Sequence, residues 1–209
     1  MTKKIIYSFA LIFFSFQFLT AQNKAENLIS DILINAKTNA IKTDFRLTVS
    51  EKGNAQVTKG TFILKGNKFV LEMNEMKAFF DGKTQWAYIP QNNEVSITEP
   101  SDQELSETNP MAILSGYKSK CNIRFSSRIK SAQNYCIEMI PKIKNQSVAK
   151  IDVQVNKTNK NLFSIKLTNK NGSTSLLNLS NFQKGVKVSD TIFSFNKNRY
   201  KGVVVNDLR

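Results

Sequence analysis

The sequence predicts a mainly β protein with helices, built on an antiparallel sheet of about eleven strands. Two observations predict it. From Phe62 to Pro100 apolar residues recur at every second position, and turn-forming pairs punctuate the run. Phe69, Leu71 and Met73 alternate with Val70, Glu72 and Asn74, and Trp86 and Tyr88 then fall on one face of the next strand. The same alternation returns in the second half, where Ile151, Val153 and Val155 alternate with Asp152, Gln154 and Asn156. Such a sheet has a greasy face that something must cover.

In chain order, residues 1–21 read as a targeting segment. Lys3 and Lys4 make a positive start, Ile5 to Leu19 an apolar stretch, and Thr20-Ala21 a small-residue cleavage site. The apolar stretch is short for a bilayer span, and no basic cluster follows it. The mature chain is expected to begin at Gln22 and to form one domain, 22–209.

Asn23 to Ile41 reads as an amphipathic helix, with Leu28, Ile29, Ile32, Leu33 and Ala36 at helical spacing. Phe45, Leu47 and Val49 then alternate with Arg46, Thr48 and Ser50. Gly53-Asn54, Gly66-Asn67, Asp81-Gly82, Asn92-Asn93 and Asn171-Gly172 are turn signals. Asp102 to Lys118 breaks the β pattern and reads as short helices interrupted at Asn109-Pro110, because proline disfavours helix in the residue before it. Met111, Ile113, Leu114 and Tyr117 give that segment an apolar stripe. Cys121 to Lys130 is expected to pair with Asn134 to Lys142. Strands around Phe163–Leu167, Leu177–Leu179, Phe193–Phe195 and Val203–Val205 complete the set.

Composition excludes several chemistries. The chain has no histidine, so Ser-His-Asp and Cys-His nucleophile systems and His-containing zinc sites are absent. No glycine-rich phosphate loop occurs. Asp152 and Asp190 have no carboxylate partner at a fixed spacing. No enzyme activity, cofactor or metal is expected. Net charge is +14, or +12 without Lys3 and Lys4. Export and the scatter of the lysines argue against nucleic acid; an anionic membrane surface or simple solubility accounts for the charge. An oxidising compartment permits a bond between Cys121 and Cys136. Strand parity puts the two on opposite faces and argues against it, unless a bulge intervenes.

The run Phe62-Ile63-Leu64-Lys65-Gly66-Asn67-Lys68-Phe69, followed by Asp81-Gly82-Lys83-Thr84-Gln85-Trp86-Ala87-Tyr88, resembles the LolA family of periplasmic lipoprotein carriers. Asn109-Pro110-Met111-Ala112-Ile113-Leu114, Ile140-Pro141-Lys142 and Phe193-Ser194-Phe195 follow in the family's order. The resemblance spans nearly the whole mature chain. It implies an unclosed antiparallel β-barrel with a helical lid that holds the acyl chains of lipoproteins in an apolar cavity. By that resemblance Phe69, Leu71 and Met73 match the cavity-facing strand, and Trp86 and Tyr88 are placed in the cavity with them. Met111, Ile113 and Leu114 match the central lid helix, and Leu28, Ile32 and Leu33 the first.

The implied role is a periplasmic chaperone, a monomer, carrying acylated lipoproteins to the outer membrane. It would receive them from an inner-membrane ABC-type release complex and pass them to an outer-membrane acceptor, with transient membrane contact. The alternative is a carrier of the same kind for another lipid or glycolipid of cell-envelope biosynthesis. A regulatory or structural envelope domain with a filled core is the third reading. One departure stands out: where the family often has an Arg-Pro pair, with the arginine holding the lid closed, this chain has Gly66-Asn67.

Overall fold

A computed structural model describes residues 24–102, 104–105, 109–143 and 147–209. The expected targeting segment, 1–21, lies outside the described residues. Residues 24–38 form helix α1, which stops short of the expected Ile41. Its last residue, Thr38, turns its hydroxyl back onto the carbonyls of Ile34 and Asn35, a local bond that competes with helix continuation. Ile41 instead opens a strand.

The first sheet strands are β1 (Ile41–Glu51), β2 (Asn54–Lys65), β3 (Lys68–Met73), β4 (Lys77–Phe80), β5 (Gln85–Ile89) and β6 (Glu94–Thr98). Helix α2 (Pro110–Lys118) follows. Then come β7 (Cys121–Phe125), β8 (Asn134–Pro141), β9 (Val148–Asn156), β10 (Leu162–Asn169), β11 (Thr174–Lys184) and β12 (Val204–Asp207). They make one twelve-stranded sheet, in the order β12-β6-β5-β4-β3-β2-β1-β11-β10-β9-β8-β7. Strands β12 and β7 end the sheet without pairing to each other, so the barrel is open. All pairings are antiparallel except β12 with β6, which is parallel.

The turns follow the residues that make them. Gly53, Gly66, Gly82 and Gly172 all have positive φ, which glycine adopts at no steric cost. At Asp81-Gly82 the Asp81 carboxylate accepts the N–H groups of Lys83 and Thr84, both at 2.9 Å. That closes the turn from the side-chain side.

The inner face carries the main core. Ile29, Ile32 and Ala36 of α1, Phe62, Leu64 and Phe69 of the first half, and Ile137, Met139, Ile151, Val153 and Ile165 of the second half belong to one buried cluster. Helix α1 therefore plugs the interior. The outer face holds a second, smaller cluster of Val70, Phe79 and Phe193, with Ile63, Trp86, Val188, Ile192 and Phe195 against it. Its cover is the segment from Gly185 to Val203, which crosses the outer face before β12 pairs with β6.

Two expected elements differ. Phe193 and Phe195 are not on a strand: Phe193 ends a 3₁₀ turn, Asp190–Phe193, and Phe195 lies in the coil after it. Both face the outer side of β4, so their alternation reflects packing against a sheet rather than pairing into one. In the sequence Phe163 alternates in phase with Ile165 and Leu167, which assigns all three to one face. A register shift between Leu162 and Ser164 turns it out to solvent and buries Leu162 instead.

The covering segment is clipped down by Asp190, whose carboxylate takes Lys65 Nζ at 2.6 Å and Lys68 Nζ at 2.9 Å. These lysine bonds hold its pKa at about 2. A carboxylate depressed in the folded state adds stability above its unfolded pKa and loses it as pH falls through the folded value. Asp190 is solvent-exposed, so the effect on stability is small. We expect a carbon-detected NMR titration to find Asp190 ionised until about pH 2. In Lys65→Ala/Lys68→Ala its midpoint should return to the ordinary aspartate range; an unchanged midpoint would disprove the clip.

Candidate functional site: an apolar cavity under helix α2

The inner face of the sheet is not filled. A cavity of about 520 Å³ lies between β1–β3, β10–β11 and helix α2. Its depth is legible from burial along each strand. On β1, Phe45 is 7% exposed, Leu47 is half-buried and Val49 is 40% exposed. On β11, Leu179 is buried, while Leu177 and Ser175 are half-buried. The closed end is therefore at Phe45, Phe62 and Leu179, and the mouth at Val49, Asn169 and Ser175.

Helix α2 covers one side. Asn109 caps it, its Oδ1 accepting the Met111 N–H at 2.9 Å. Pro110 occupies the first turn, where its missing N–H is not needed. The register that results turns Pro110, Ile113 and Tyr117 toward the cavity and sinks Leu114 into the core. Asn109 is itself buried, so Asn109→Ala removes the cap and leaves a buried N–H without it. We expect a loss of about 1–2 kcal/mol, read as a lower denaturation midpoint; a change under a few tenths would mean that the cap contributes nothing.

On the other side of α2 a wider and more polar groove of about 880 Å³ runs between α1 and α2. Met111 and Ala112 of α2, Leu33 and Lys37 of α1, and Gly66 and Asn67 of the β2–β3 turn line it. Tyr117 and Ser147 border both spaces.

The expected site residues separate into distinct places. Leu71 and Met73 line the cavity, as does Ile113. Phe69 does not: it is 1% exposed and sandwiched between Phe62 and Phe80, with ring centroids at 5.4 Å and 5.3 Å. Met111 and Leu33 face the second groove, while Ile32 is in the core and Leu28 packs against it. No residue of α1 lines the cavity, and among the described residues its helical cover is α2.

Trp86 and Tyr88 are on the wrong side of the sheet for a cavity role. Cross-strand register makes Phe69, Phe80 and Gln85 one face and Val70, Phe79 and Trp86 the other. Trp86 packs in the outer cluster, and Tyr88 stacks near Phe195 and Tyr200. The apolar alternation was real, but this part of the sheet is apolar on both faces, and the outward face is covered by the C-terminal segment. Consecutive apolar pairs such as Phe69-Val70 and Phe79-Phe80 are the signal of two-sided burial.

Several lining residues were missed as site residues. Phe45 and Leu47 of β1, Leu167 of β10, and Leu177 and Leu179 of β11 all face the cavity. Each sits on an alternating strand, but the pairing that unites β1 with β11 joins residues far apart in the chain, Phe45 with Leu179 and Leu47 with Leu177.

Where the family often has Arg-Pro, the Gly66 N–H donates to the carbonyl of Ala36, in the last turns of α1, at 2.7 Å. A backbone bond thus ties the β2–β3 turn to the first helix. It does not reach α2.

Cys121 and Cys136 are both free. Cys121 pairs across from Pro141 and Cys136 from Gln154, so they sit at opposite ends of the β7–β8 hairpin and on opposite faces. Burial raises both thiol pKa values. The structure does give Asp152 a carboxylate neighbour: Glu138 lies directly opposite across β8 and β9. Ser126 Oγ donates to Glu138 at 2.7 Å and Arg124 to its other oxygen at 3.3 Å, which lowers its pKa. Asp152 takes Lys150 Nζ at 2.9 Å. Both acids are engaged on the outer face and neither lines the cavity.

Comparison with known proteins agrees with the architecture. The family model for outer membrane lipoprotein carrier protein LolA matches residues 36–196. No curated protein matches the sequence. Among solved structures, an uncharacterized conserved protein from Thermus thermophilus superposes with a TM-score of 0.58 at 10% identity, over 88% of this chain and 99% of that one. A DUF1329 family protein from Desulfovibrio piger superposes with a TM-score of 0.50 at 11% identity, over 87% and 99%. At such identities these two show a shared fold and nothing more. The match of the family model, which spans β1 to β11 and the helix that covers the cavity, makes this chain a member of the LolA outer membrane lipoprotein carrier family.

Proposed function

We propose that this protein is a periplasmic carrier that shields the acyl chains of lipoproteins in the cavity under α2 and takes them from the inner to the outer membrane. The observation that carries the reading is an apolar, open-mouthed cavity of about 520 Å³ in a chain of this family. A lipid-modified protein cannot cross water with its chains exposed, because each methylene buried is worth about 0.8 kcal/mol. Met73 and Met76 at the wall suit such a ligand, since methionine adapts to irregular shapes. Residues 1–21 would direct export and be cleaved after Ala21. An inner-membrane ABC-type complex would load the carrier and an outer-membrane acceptor would unload it; with no nucleotide motif in the chain, the energy comes from the partner.

A second reading, a carrier of another lipid or glycolipid, draws support from Gly66-Asn67, because the arginine latch that the family uses in its transfer cycle has no counterpart here. Native mass spectrometry with lipid extraction, on protein from its own periplasm, separates the two. Acylated lipoproteins bound to it support the first, another lipid supports the second, and an empty protein that takes up neither overturns both. The charge of +12 that remains without Lys3 and Lys4 leads us to expect binding to anionic vesicles that weakens as salt is raised. No binding at low salt would assign the charge to solubility alone.

A further inference from the structure

We propose that the closed end of the sheet, opposite the cavity mouth, docks on an anionic phospholipid bilayer through three basic loops, and that the docked protein holds its mouth away from the membrane. The proposal does not depend on what the cavity carries.

Three loops meet at that end. They are residues 126–133 between β7 and β8, 157–161 between β9 and β10, and 183–188 at and after the end of β11. The Lys157 N–H donates to the Gln133 carbonyl at 2.9 Å and ties the first loop to the second. Lys184 Nζ donates to the Asn159 carbonyl at 3.2 Å and ties the second to the third. The cavity mouth, at Val49, Asn169 and Ser175, is at the other ends of β1, β10 and β11. At about 3.3 Å per residue, the 11 residues of β11 put roughly 30 Å between the two ends.

Charge is segregated there. Arg128, Lys130, Lys157, Lys160, Lys184 and Lys187 belong to these loops, which contain no aspartate or glutamate. All six are exposed. Among the described residues none of the six forms a salt bridge. Neutral groups hold them instead. Lys157 Nζ donates to the Ser131 and Ala132 carbonyls at 2.8 and 3.1 Å. Lys160 Nζ donates to the Lys157 carbonyl at 2.6 Å and stands 4.5 Å from the centre of the Tyr135 ring. Carbonyls and a ring face carry no net charge, so the positive field is left uncancelled. Asp44 on β1 is engaged by the Asn181 amide at 2.6 Å. The first half of the same end differs: Asp190 meets Lys65 and Lys68, and Glu99 meets Lys83 at 3.2 Å.

Solubility alone calls for mixed signs spread over a surface. Six like charges crowded together repel one another and disfavour the compact state. A layer of phosphate headgroups relieves that repulsion and accepts hydrogen bonds from every cation. Ile129, 36% exposed, stands between Arg128 and Lys130, and its N–H donates to Ser126 Oγ at 2.9 Å. No other large hydrophobic residue of the three loops is exposed. One apolar side chain flanked by cations suits a headgroup layer. An acidic protein would need an apolar centre to its interface, which these loops lack. On the carrier reading, a protein docked this way exchanges cargo on its aqueous side, with another protein rather than with the bilayer.

The test is flotation of the mature protein with vesicles of phosphatidylglycerol and phosphatidylethanolamine, and with phosphatidylcholine vesicles beside them. Salt is set at about 0.1 M, where charges are screened beyond about 10 Å. Each cation near an anionic surface contributes about fivefold in affinity, the equivalent of about 1 kcal/mol. We expect Lys157→Gln/Lys160→Gln/Lys184→Gln to weaken binding by about a hundredfold. Arg128→Gln/Lys130→Gln should weaken it by about twenty-five-fold. The side chains of that pair make no hydrogen bond or salt bridge in the structure, so the second variant decides if the first fails to fold. Removing three charges at the mouth end, in Lys52→Gln/Lys118→Gln/Lys120→Gln, should change binding by less than about fivefold. A dye on Ile129→Cys should be quenched by headgroup-labelled lipid, and one on Glu51→Cys, at the mouth end, should not; the native Cys121 and Cys136 are buried and escape the dye. Equal losses from the two ends, equal binding to phosphatidylcholine, no binding to the anionic vesicles, or stronger quenching at position 51 would each overturn the proposal. A chain that docks as expected yet takes up no acyl group would overturn the carrier reading and leave this one standing.

Discussion

Met73→Glu is expected to cost the protein its acyl binding while leaving it folded. Met73 ends β3, is half-buried, and lines the cavity beside Met76. From that position a carboxylate can turn toward the mouth and stay hydrated, so the fold should survive. The wall it leaves behind carries a charge where the ligand is hydrocarbon and where no cation lines the cavity. If only two to three methylenes lose their contact, at about 0.8 kcal/mol each, affinity falls by about ten- to a hundredfold. A fluorescent acyl probe measures the loss, and the melting curve checks the fold. A folded Met73→Glu that binds the probe as well as the parent would remove the cavity from consideration. Leu71→Glu, two residues deeper, is not an equivalent test. Leu71 is buried in the main core, and an unpaired carboxylate there is expected to unfold the chain.

Phe69→Ala is expected to give the largest loss of stability, about 3–5 kcal/mol. The ring is packed on both sides, stacked on Phe62 and tilted against Phe80, within the row that begins at Phe45. Strands β2, β3 and β4 each contribute one ring, so the side chains cannot collapse into the gap without moving the sheet. Chemical denaturation would show this as a midpoint shift at unchanged slope. A loss under about 1 kcal/mol would mean that the ring is a mobile cavity wall rather than core. Against the typical stability of a single domain, about 5–15 kcal/mol, the expected loss is a large fraction of the whole.

The fold was largely legible because its determinants are local. Alternation at period two marks strands whatever they pair with, and Asp81-Gly82 or Asn171-Gly172 mark turns by backbone chemistry alone. The Asn109-Pro110 break was legible for the same reason: proline restricts the residue just before it. Strand Lys77–Phe80 was harder, because four residues with three apolar in sequence carry no alternation.

The site was legible only in part. Leu71, Met73 and Ile113 sit at the cavity wall, but Phe69 on the same face of the same strand is core, two residues from a lining position. Which of two like residues meets empty space depends on what packs across from it, and that is not a property of either residue. Trp86 and Tyr88 show the limit more sharply. Their shared face was readable, but which side of the sheet it became depended on the count of residues through two turns and on a distant C-terminal segment lying over it.

What the sequence determined by itself, then, is the antiparallel sheet, its turns, the helical segment interrupted at Asn109-Pro110, and the absence of histidine chemistry; that the sheet stays open was implied by the family resemblance alone. Each follows from backbone preference, periodicity or composition over a few residues. What only the tertiary structure decided is the volume and place of the cavity, its uncharged wall, and the outward turn of Trp86 and Tyr88. Those depend on β1 meeting β11 and on the 185–203 segment crossing the outer face. Long-range packing chooses between the two faces of a strand, and periodicity alone treats those faces as equal.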